Sequence, residues 1–67
     1  MTAITLNGEP RDVPLDTTVT AVVALLSATQ TGCAVAVNDE VVPRREWSSR
    51  IVTAGDRVEV LTAVQGG

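Results

Sequence analysis

Length, composition and charge restrict what this chain can do. Its 67 residues suffice for one small domain, and 45% hydrophobic with 19% charged residues is the balance of a folded protein. Histidine, tyrosine and lysine are absent and cysteine occurs once, which excludes a serine–histidine triad, a cysteine–histidine pair, a Schiff-base lysine and a histidine–cysteine zinc site. The net charge of −3 argues against nucleic acid or an anionic membrane surface as the partner.

The same composition predicts where the protein is located and whether its cysteine forms a disulfide. No apolar run approaches the roughly 20 residues that span a bilayer, and no charged-then-apolar signal segment begins at Met1. We therefore expect a soluble, cytoplasmic protein that does not contact membranes. Cys33 has no second cysteine to pair with, and we expect it to serve as a small buried apolar side chain.

A β-hairpin is predicted at the start of the chain. Ile4 and Leu6 alternate with small or polar neighbours, as in a strand with one buried face. The dipeptide Asn7-Gly8 tolerates the positive φ angles of a tight hairpin turn. Val13 and Leu15 then resume the alternation in the second strand.

One helix is predicted from Val19 to Thr29. Apolar side chains recur at the i, i+3, i+4 and i+7 spacing of one helix face, in Val19, Val22, Val23 and Leu26. Asp16, Thr17 and Thr18 precede it and offer side-chain oxygens to the free N–H groups of the first turn. Gly32 is predicted to end the helix.

Two shorter strands follow the helix. The run 34–37 (AVAV) is apolar on both faces, which predicts a central strand covered on each side, with its small alanines against the crossing helix. A turn is predicted at 38–40. Val41-Val42 is then a short strand stopped by Pro43, and 44–47 forms one irregular or helical turn.

A long final strand is predicted after the turn at Gly55-Asp56, from Arg57 to Val64. By period-two alternation, one face carries Val58, Val60, Thr62 and Val64, and the other carries Arg57, Glu59, Leu61 and Ala63. If the helix covers the first face, Leu61 and Ala63 form an exposed apolar pair beside the chain end. We predict that this pair is a docking patch for a partner protein.

The order of elements, ββ, α, ββ, β, places one helix on one face of a mixed sheet. This is an α+β domain of the β-grasp, or ubiquitin-like, type. Within it, "VNDEVVPRREW" (Val37 to Trp47), "AGDRVEVL" (Ala54 to Leu61) and "QGG" (Gln65 to Gly67) resemble the motifs of the ThiS family, the sulfur carriers of thiamine biosynthesis. The resemblance covers the whole chain, 1–67, as a single carrier domain.

The resemblance implies a reaction at the chain end. In ThiS-like carriers the terminal carboxylate, here that of Gly67, is adenylated by a ThiF-type adenylyltransferase that uses ATP and Mg. It is then converted to a thiocarboxylate with sulfur from donor machinery, and the sulfur passes to thiazole synthase. The chain would be a protein co-substrate and not an enzyme, with no cofactor or metal of its own, and a monomer when free.

The glycines of the tail suit this reaction. A residue without Cβ passes a narrow channel and adopts φ values closed to other residues. Gln65, Gly66 and Gly67 would form a flexible tail that extends about 10 Å at roughly 3.3 Å per residue. The folded body would then remain outside a partner's active site while the carboxylate enters it.

Other functions and roles remain open at this stage. A molybdopterin-type sulfur carrier and a ubiquitin-like protein modifier would use the same tail, and a simple interaction module would use the fold alone. Trp47 is predicted to cap one edge of the sheet with its N–H hydrogen-bonded. Arg44 and Arg45 are expected to be solvated.

Overall fold

The computed structural model describes residues 1–26 and 32–62, which form a mixed five-stranded sheet and one helix. The elements in chain order are β1 (Thr2–Leu6), β2 (Glu9–Val13), α1 (Val19–Leu26), β3 (Cys33–Val37), β4 (Glu40–Val42), a 3₁₀ turn (Arg44–Glu46) and β5 (Arg57–Thr62). The strand order in the sheet is β2-β1-β5-β3-β4. This architecture confirms the predicted α+β fold of the β-grasp type.

The last strand occupies the middle of the sheet. β5 pairs in parallel with β1 on one side, at Thr5↔Arg57 and Leu6↔Val58. On the other side it pairs antiparallel with β3 over the whole length of that strand, from Cys33↔Thr62 to Val37↔Val58. β2 and β4 are the edge strands. The element that leads to the chain end is therefore fixed on both sides by hydrogen-bonded neighbours.

The hydrophobic core is built mainly from valine. Among the described residues, ten of the thirteen buried apolar side chains are valines, and the other three are Ile4, Leu6 and Trp47. β-branched side chains have few rotamers to lose, and full burial of one contributes about 1.5–3 kcal/mol. Valines from α1 and from the sheet belong to one cluster, so the helix is held by packing against the sheet.

The helix begins at Val19, and Thr18 before it is the capping residue. Its Oγ1 accepts a hydrogen bond from the N–H of Ala21 at 3.2 Å, which satisfies a first-turn donor as predicted. The other two predicted capping residues do not share this role. The hydroxyl of Thr17 donates to the carbonyl of Pro14 at 2.6 Å, and Asp16 lies in the preceding turn with φ 65°.

The apolar stripe of the helix is shorter than predicted. Val19, Val22 and Val23 are buried, but Leu26 is exposed, because no other part of the described chain covers the last turn. In the described residues no helix has the length and apolar character required to cross a bilayer. The predicted end at Thr29 lies outside the described residues. Gly32 has a positive φ of 79° immediately before β3.

The first hairpin forms as predicted, with one difference in its length. Asn7 and Gly8 have φ angles of 50° and 84°, the left-handed pair that a two-residue hairpin turn requires. β2 ends at Val13. Leu15 therefore does not continue the strand, and its side chain is 70% exposed.

β3 is covered on one face and not on two. Val35 and Val37 are buried. Cys33, predicted to be buried, is half-buried and packs against the same core. Ala34 is exposed and Ala36 is half-buried on the opposite face. The prediction that the alanines contact the helix is wrong. In the described chain, α1 lies on the face that carries the valines. Because the residues on the uncovered face are small and apolar, the sequence of β3 looks like that of a strand covered on both faces.

Trp47 closes one edge of the core. Its side chain is buried, and Nε1–H donates a hydrogen bond to the carbonyl of Val42 on edge strand β4 at 2.9 Å. This confirms its predicted position and bonding. The guanidinium of Arg44 lies over the indole ring, 5.1 Å from its centroid, at a distance typical of a cation–π contact.

A buried carboxylate holds the turn that begins β5. Asp56 accepts hydrogen bonds from the N–H of Thr53 at 2.8 Å and from Nδ2 of Asn38 at 3.0 Å. Burial raises the pKa of Asp56, but these hydrogen bonds and the charge of Arg50 outweigh it and hold the pKa below its ordinary value. The ionised carboxylate is therefore the form that stabilises the fold.

This carboxylate should make stability depend on pH. A group with a depressed folded-state pKa stabilises the fold above its unfolded pKa, about 3.9 for aspartate, and this contribution is lost as pH falls through the folded value. At neutral pH, Asp56→Asn should lower the free energy of unfolding by about 1–3 kcal/mol, since a charged acceptor is removed. Urea denaturation at neutral and acid pH measures the effect.

The difference between wild type and Asp56→Asn should narrow as the pH falls below about 3.9. The matched control is Asp12→Asn, which neutralises an exposed aspartate on edge strand β2 and should change stability by less than about 0.5 kcal/mol. A difference between Asp56→Asn and wild type that stays constant across the acid range would contradict the assigned role of the ionised carboxylate.

Candidate functional site

The structure describes the strand that leads to the predicted reactive end. Gln65, Gly66 and Gly67, together with Ala63 of the predicted docking pair, lie outside the described residues. β5 is described as far as Thr62. The site is therefore built from β5 and the strands beside it.

The two faces of β5 differ as the alternation predicts. Val58 and Val60 are buried in the core, whereas Glu59 and Leu61 point to the opposite face and are exposed. The side chain of Leu61 is 71% exposed. A large apolar side chain beside the tail is thus accessible to a partner, and its role in binding stays a prediction.

Leu61 belongs to a larger apolar surface that crosses three strands. Ala34 on β3 lies directly opposite Leu61, and Ala36 lies directly opposite Val41 on β4. Val41 is 73% exposed. Residues paired in this way share one face of the sheet. The two small alanines consequently lie between the larger side chains of Leu61 and Val41 and form the bottom of a depression in this face.

This arrangement produces a groove with a volume of about 460 Å³ on the open face of the sheet. We call it the open-face groove and define it by its apolar side chains, Ala34, Ala36, Val41 and Leu61. Asn7 and Glu59 also line it. An apolar surface with a few polar groups around it is suited to bind a protein side chain or segment.

Three of the four groove residues carry no functional prediction from the sequence. The sequence predicts Val41 only as part of a short strand, and it predicts Ala34 and Ala36 in contact with the helix. Their signal lay in the alternation of β3, where valine and alanine occupy successive positions. The larger side chains of such a strand favour the packed core, and the small ones can remain on the open face.

The arginines after Pro43 lie apart from the groove. Arg44 and Arg45 are exposed, as predicted, and neither lines the groove. Arg44 stacks on Trp47, and Arg45 lies 4.0 Å from the carboxylate of neighbouring Glu46. Within residues 1–26 and 32–62, no group of three or more histidine, cysteine, aspartate or glutamate residues is placed to hold a metal ion.

Comparison with known proteins assigns the family. The model of the ThiS family matches residues 4–67, which include all of the β5 strand and the terminal Gly-Gly. The chain belongs to the ThiS family. The match confirms the resemblance carried by the three sequence motifs.

Two ThiS relatives agree with this assignment in sequence and in structure. The sulfur carrier protein ThiS of Escherichia coli (strain K12) is 31% identical over 64 residues, which cover 96% of this chain and 97% of that protein. The crystal structure of the thiamine biosynthesis protein ThiS from Geobacter metallireducens is similar with a TM-score of 0.78 at 32% identity. That similarity covers 98% of this chain and 100% of the other.

Proposed function

We propose that this chain is a sulfur carrier in thiamine biosynthesis, and that it acts as a protein co-substrate and not as a catalyst. The observation that carries the proposal is the ThiS family match over residues 4–67, which extends through the terminal Gly-Gly. The sulfur carrier name of the Escherichia coli relative and the thiamine biosynthesis title of the Geobacter structure support it.

The chemistry begins with activation of the Gly67 carboxylate. A carboxylate has no good leaving group, so exchange of its oxygen for sulfur requires activation first. In the proposed reaction a carboxylate oxygen attacks the α-phosphorus of ATP, pyrophosphate leaves, and an acyl-adenylate forms. A ThiF-type adenylyltransferase supplies the nucleotide site, and ATP and Mg are held by that partner.

Sulfur enters in the second step. Hydrosulfide supplied by the donor machinery attacks the acyl carbon, AMP leaves with the bonding electron pair, and the oxidation state of the sulfur does not change. The resulting thiocarboxylate of Gly67 is the sulfur source for thiazole synthase. The carrier itself contributes the carboxyl group and the surface by which the two enzymes recognise it.

The open-face groove is the surface that we assign to recognition by the activating enzyme. Leu61 lies six residues before Gly67, so docking at the groove places the partner close to the start of the tail. Leu61 and Val41 offer exposed apolar area, and an apolar side chain of the partner would fill the space above the alanines. Ala63, on the same face by the alternation, is proposed to extend this contact.

The first experiment follows the mass of the chain. Incubation with the cognate ThiF-type adenylyltransferase, ATP, Mg and a sulfur source should replace one oxygen by sulfur, and fragmentation should place the sulfur on Gly67. A chain without Gly67, or with one alanine added after it, shifts the carboxylate by about 3.3 Å. Both variants should be adenylated at least about a hundredfold more slowly, because in-line attack tolerates little displacement.

Circular dichroism of the shortened and extended chains should match that of wild type, which separates their loss of activity from loss of fold. Sulfur on Cys33, or no mass change with an enzyme proven active on another carrier, would refute the proposed reaction. Normal adenylation of the shortened chain would show that the position of the carboxylate is not what the partner requires.

The second experiment tests docking at the groove. Leu61→Arg places a charge in the apolar contact, and desolvation of an unpaired charge is costly. The KM for the carrier in adenylation should therefore rise at least about tenfold while kcat at saturation changes little. The matched control is Leu15→Arg, which changes a side chain of nearly equal exposure, 70%, outside the groove.

Leu15→Arg should leave the KM within about twofold of wild type. Both leucines are exposed, so both variants should retain the native free energy of unfolding to within about 0.5 kcal/mol. Equal KM values for Leu61→Arg and wild type would show that the activating enzyme does not use this face.

A further inference from the structure

β5 continues beyond the point where its pairing with β1 ends. The pairing of β1 with β5 reaches Leu6↔Val58, where the first hairpin reverses the chain. β5 continues to Thr62. The backbone groups of Val60 that point toward β1 therefore lie beyond the last residue of that strand.

The side chain of Asn7 supplies the missing partner. Its Oδ1 accepts a hydrogen bond from the N–H of Val60 at 2.8 Å, and its Nδ2 donates to the carbonyl of Val60 at 3.3 Å. The backbone N–H of Asn7 donates to the carbonyl of Val58 at 2.9 Å. The carboxamide thus makes the two hydrogen bonds to β5 that a further peptide group of β1 would make. We call these two side-chain hydrogen bonds the Asn7 clamp.

Asparagine satisfies two requirements at this position. The turn needs a residue that tolerates a φ of 50°, and asparagine does so better than most side chains. The clamp needs a donor and an acceptor on one short side chain. Aspartate keeps the acceptor but has no N–H to donate, and glycine keeps the turn but removes both hydrogen bonds. Both replacements tolerate the backbone conformation of the turn, so their effects report on the hydrogen bonds of the clamp.

A second asparagine holds the opposite end of β5 in a similar way. Asn38 has a φ of 52°, and its Oδ1 accepts a hydrogen bond from the N–H of Arg57 at 2.9 Å. Its backbone N–H donates to the carbonyl of Arg57 at 2.8 Å. Asn38 holds the first residue of the strand, whereas Asn7 holds the part nearest the tail.

We propose that Asn7 is a positioning residue for the reaction at Gly67, an inference that rests on the proposed function. The clamp holds β5 on its β1 side, beyond the last pair with that strand, while β3 holds the other side as far as Thr62. Seven residues follow Val60, and an extended chain of that length spans at most about 23 Å. With the tail held extended in a partner's channel, a tilt of about 10° at Val60 displaces its end by about 4 Å.

That displacement exceeds what the chemistry tolerates. The attacking oxygen and the phosphorus must approach to about 3–3.5 Å in line with the leaving group. A chain that docks normally at the open-face groove but leaves the sheet in the wrong direction would bind the activating enzyme and react slowly. Loss of the clamp should therefore lower kcat more than it raises KM.

The test compares wild type with Asn7→Gly, Asn7→Asp and Asn38→Gly. Adenylation by the cognate ThiF-type enzyme with ATP and Mg is followed by pyrophosphate release, and hydrogen exchange at the Val60 amide is followed by NMR. In Asn7→Gly we expect exchange at least about tenfold faster, whereas Asn7→Asp keeps the acceptor for the Val60 N–H and should exchange closer to the wild-type rate. The kcat of Asn7→Gly should fall about tenfold or more and that of Asn7→Asp by less, in each case by a larger factor than KM rises, since Asn7 also lines the open-face groove.

Asn38→Gly serves as the matched control. It removes the same residue type from the same backbone conformation at the end of β5 remote from the tail, and its kcat should stay within about twofold of wild type. Equal losses of kcat in Asn7→Gly and Asn38→Gly would show that a general loss of folding stability causes the effect, and would overturn the inference.

Two further outcomes would also overturn it. Unchanged exchange at Val60 in Asn7→Gly would show that the clamp does not hold the strand. Wild-type kcat despite fast exchange would show that the clamp does not position the tail, and would leave the proposed function standing. A wild-type chain that an active partner does not adenylate would remove the proposed function and this inference together.

Discussion

The placement of β5 between β1 and β3 is the constraint on which the other features depend. Because this strand pairs on both sides, its valines lie at the centre of the core and its remaining side chains lie at the centre of the opposite face. Asn38 and Asn7 extend the hydrogen bonding at its two ends. The fold thus provides a rigid base immediately before the segment that carries the proposed reactive group.

The open-face groove exists because one helix can cover one face of a sheet. α1 and the sheet bury a valine-rich core together, and in the described chain the other face receives no covering element. Leu61 and Val41 remain exposed there, on either side of two alanines. In the proposed function two enzymes recognise the carrier, and an accessible apolar surface near the tail would serve that docking without chemistry of its own.

Much of this structure could be predicted from sequence because the signals are local. The Asn7-Gly8 turn, the alternation in β5 and the buried position of Trp47 each follow from a few neighbouring residues. The coverage of β3 and the Asn7 clamp depend on distant parts of the chain. The sequence of an apolar strand does not show how many of its faces are covered. The clamp joins residues 53 positions apart, which no local pattern reveals. The groove was therefore predicted only at Leu61.

We propose that the open-face groove and the chain end meet the activating enzyme together. NMR of the isotopically labelled chain, titrated with the cognate ThiF-type adenylyltransferase in the presence of ATP and Mg, tests it most directly. We expect the signals of Val41, Leu61 and the two groove alanines to shift or broaden together with those of Gly66 and Gly67, while the signals of Leu25 on the helix do not change. Perturbation centred on Leu25, with the groove unchanged, would contradict it.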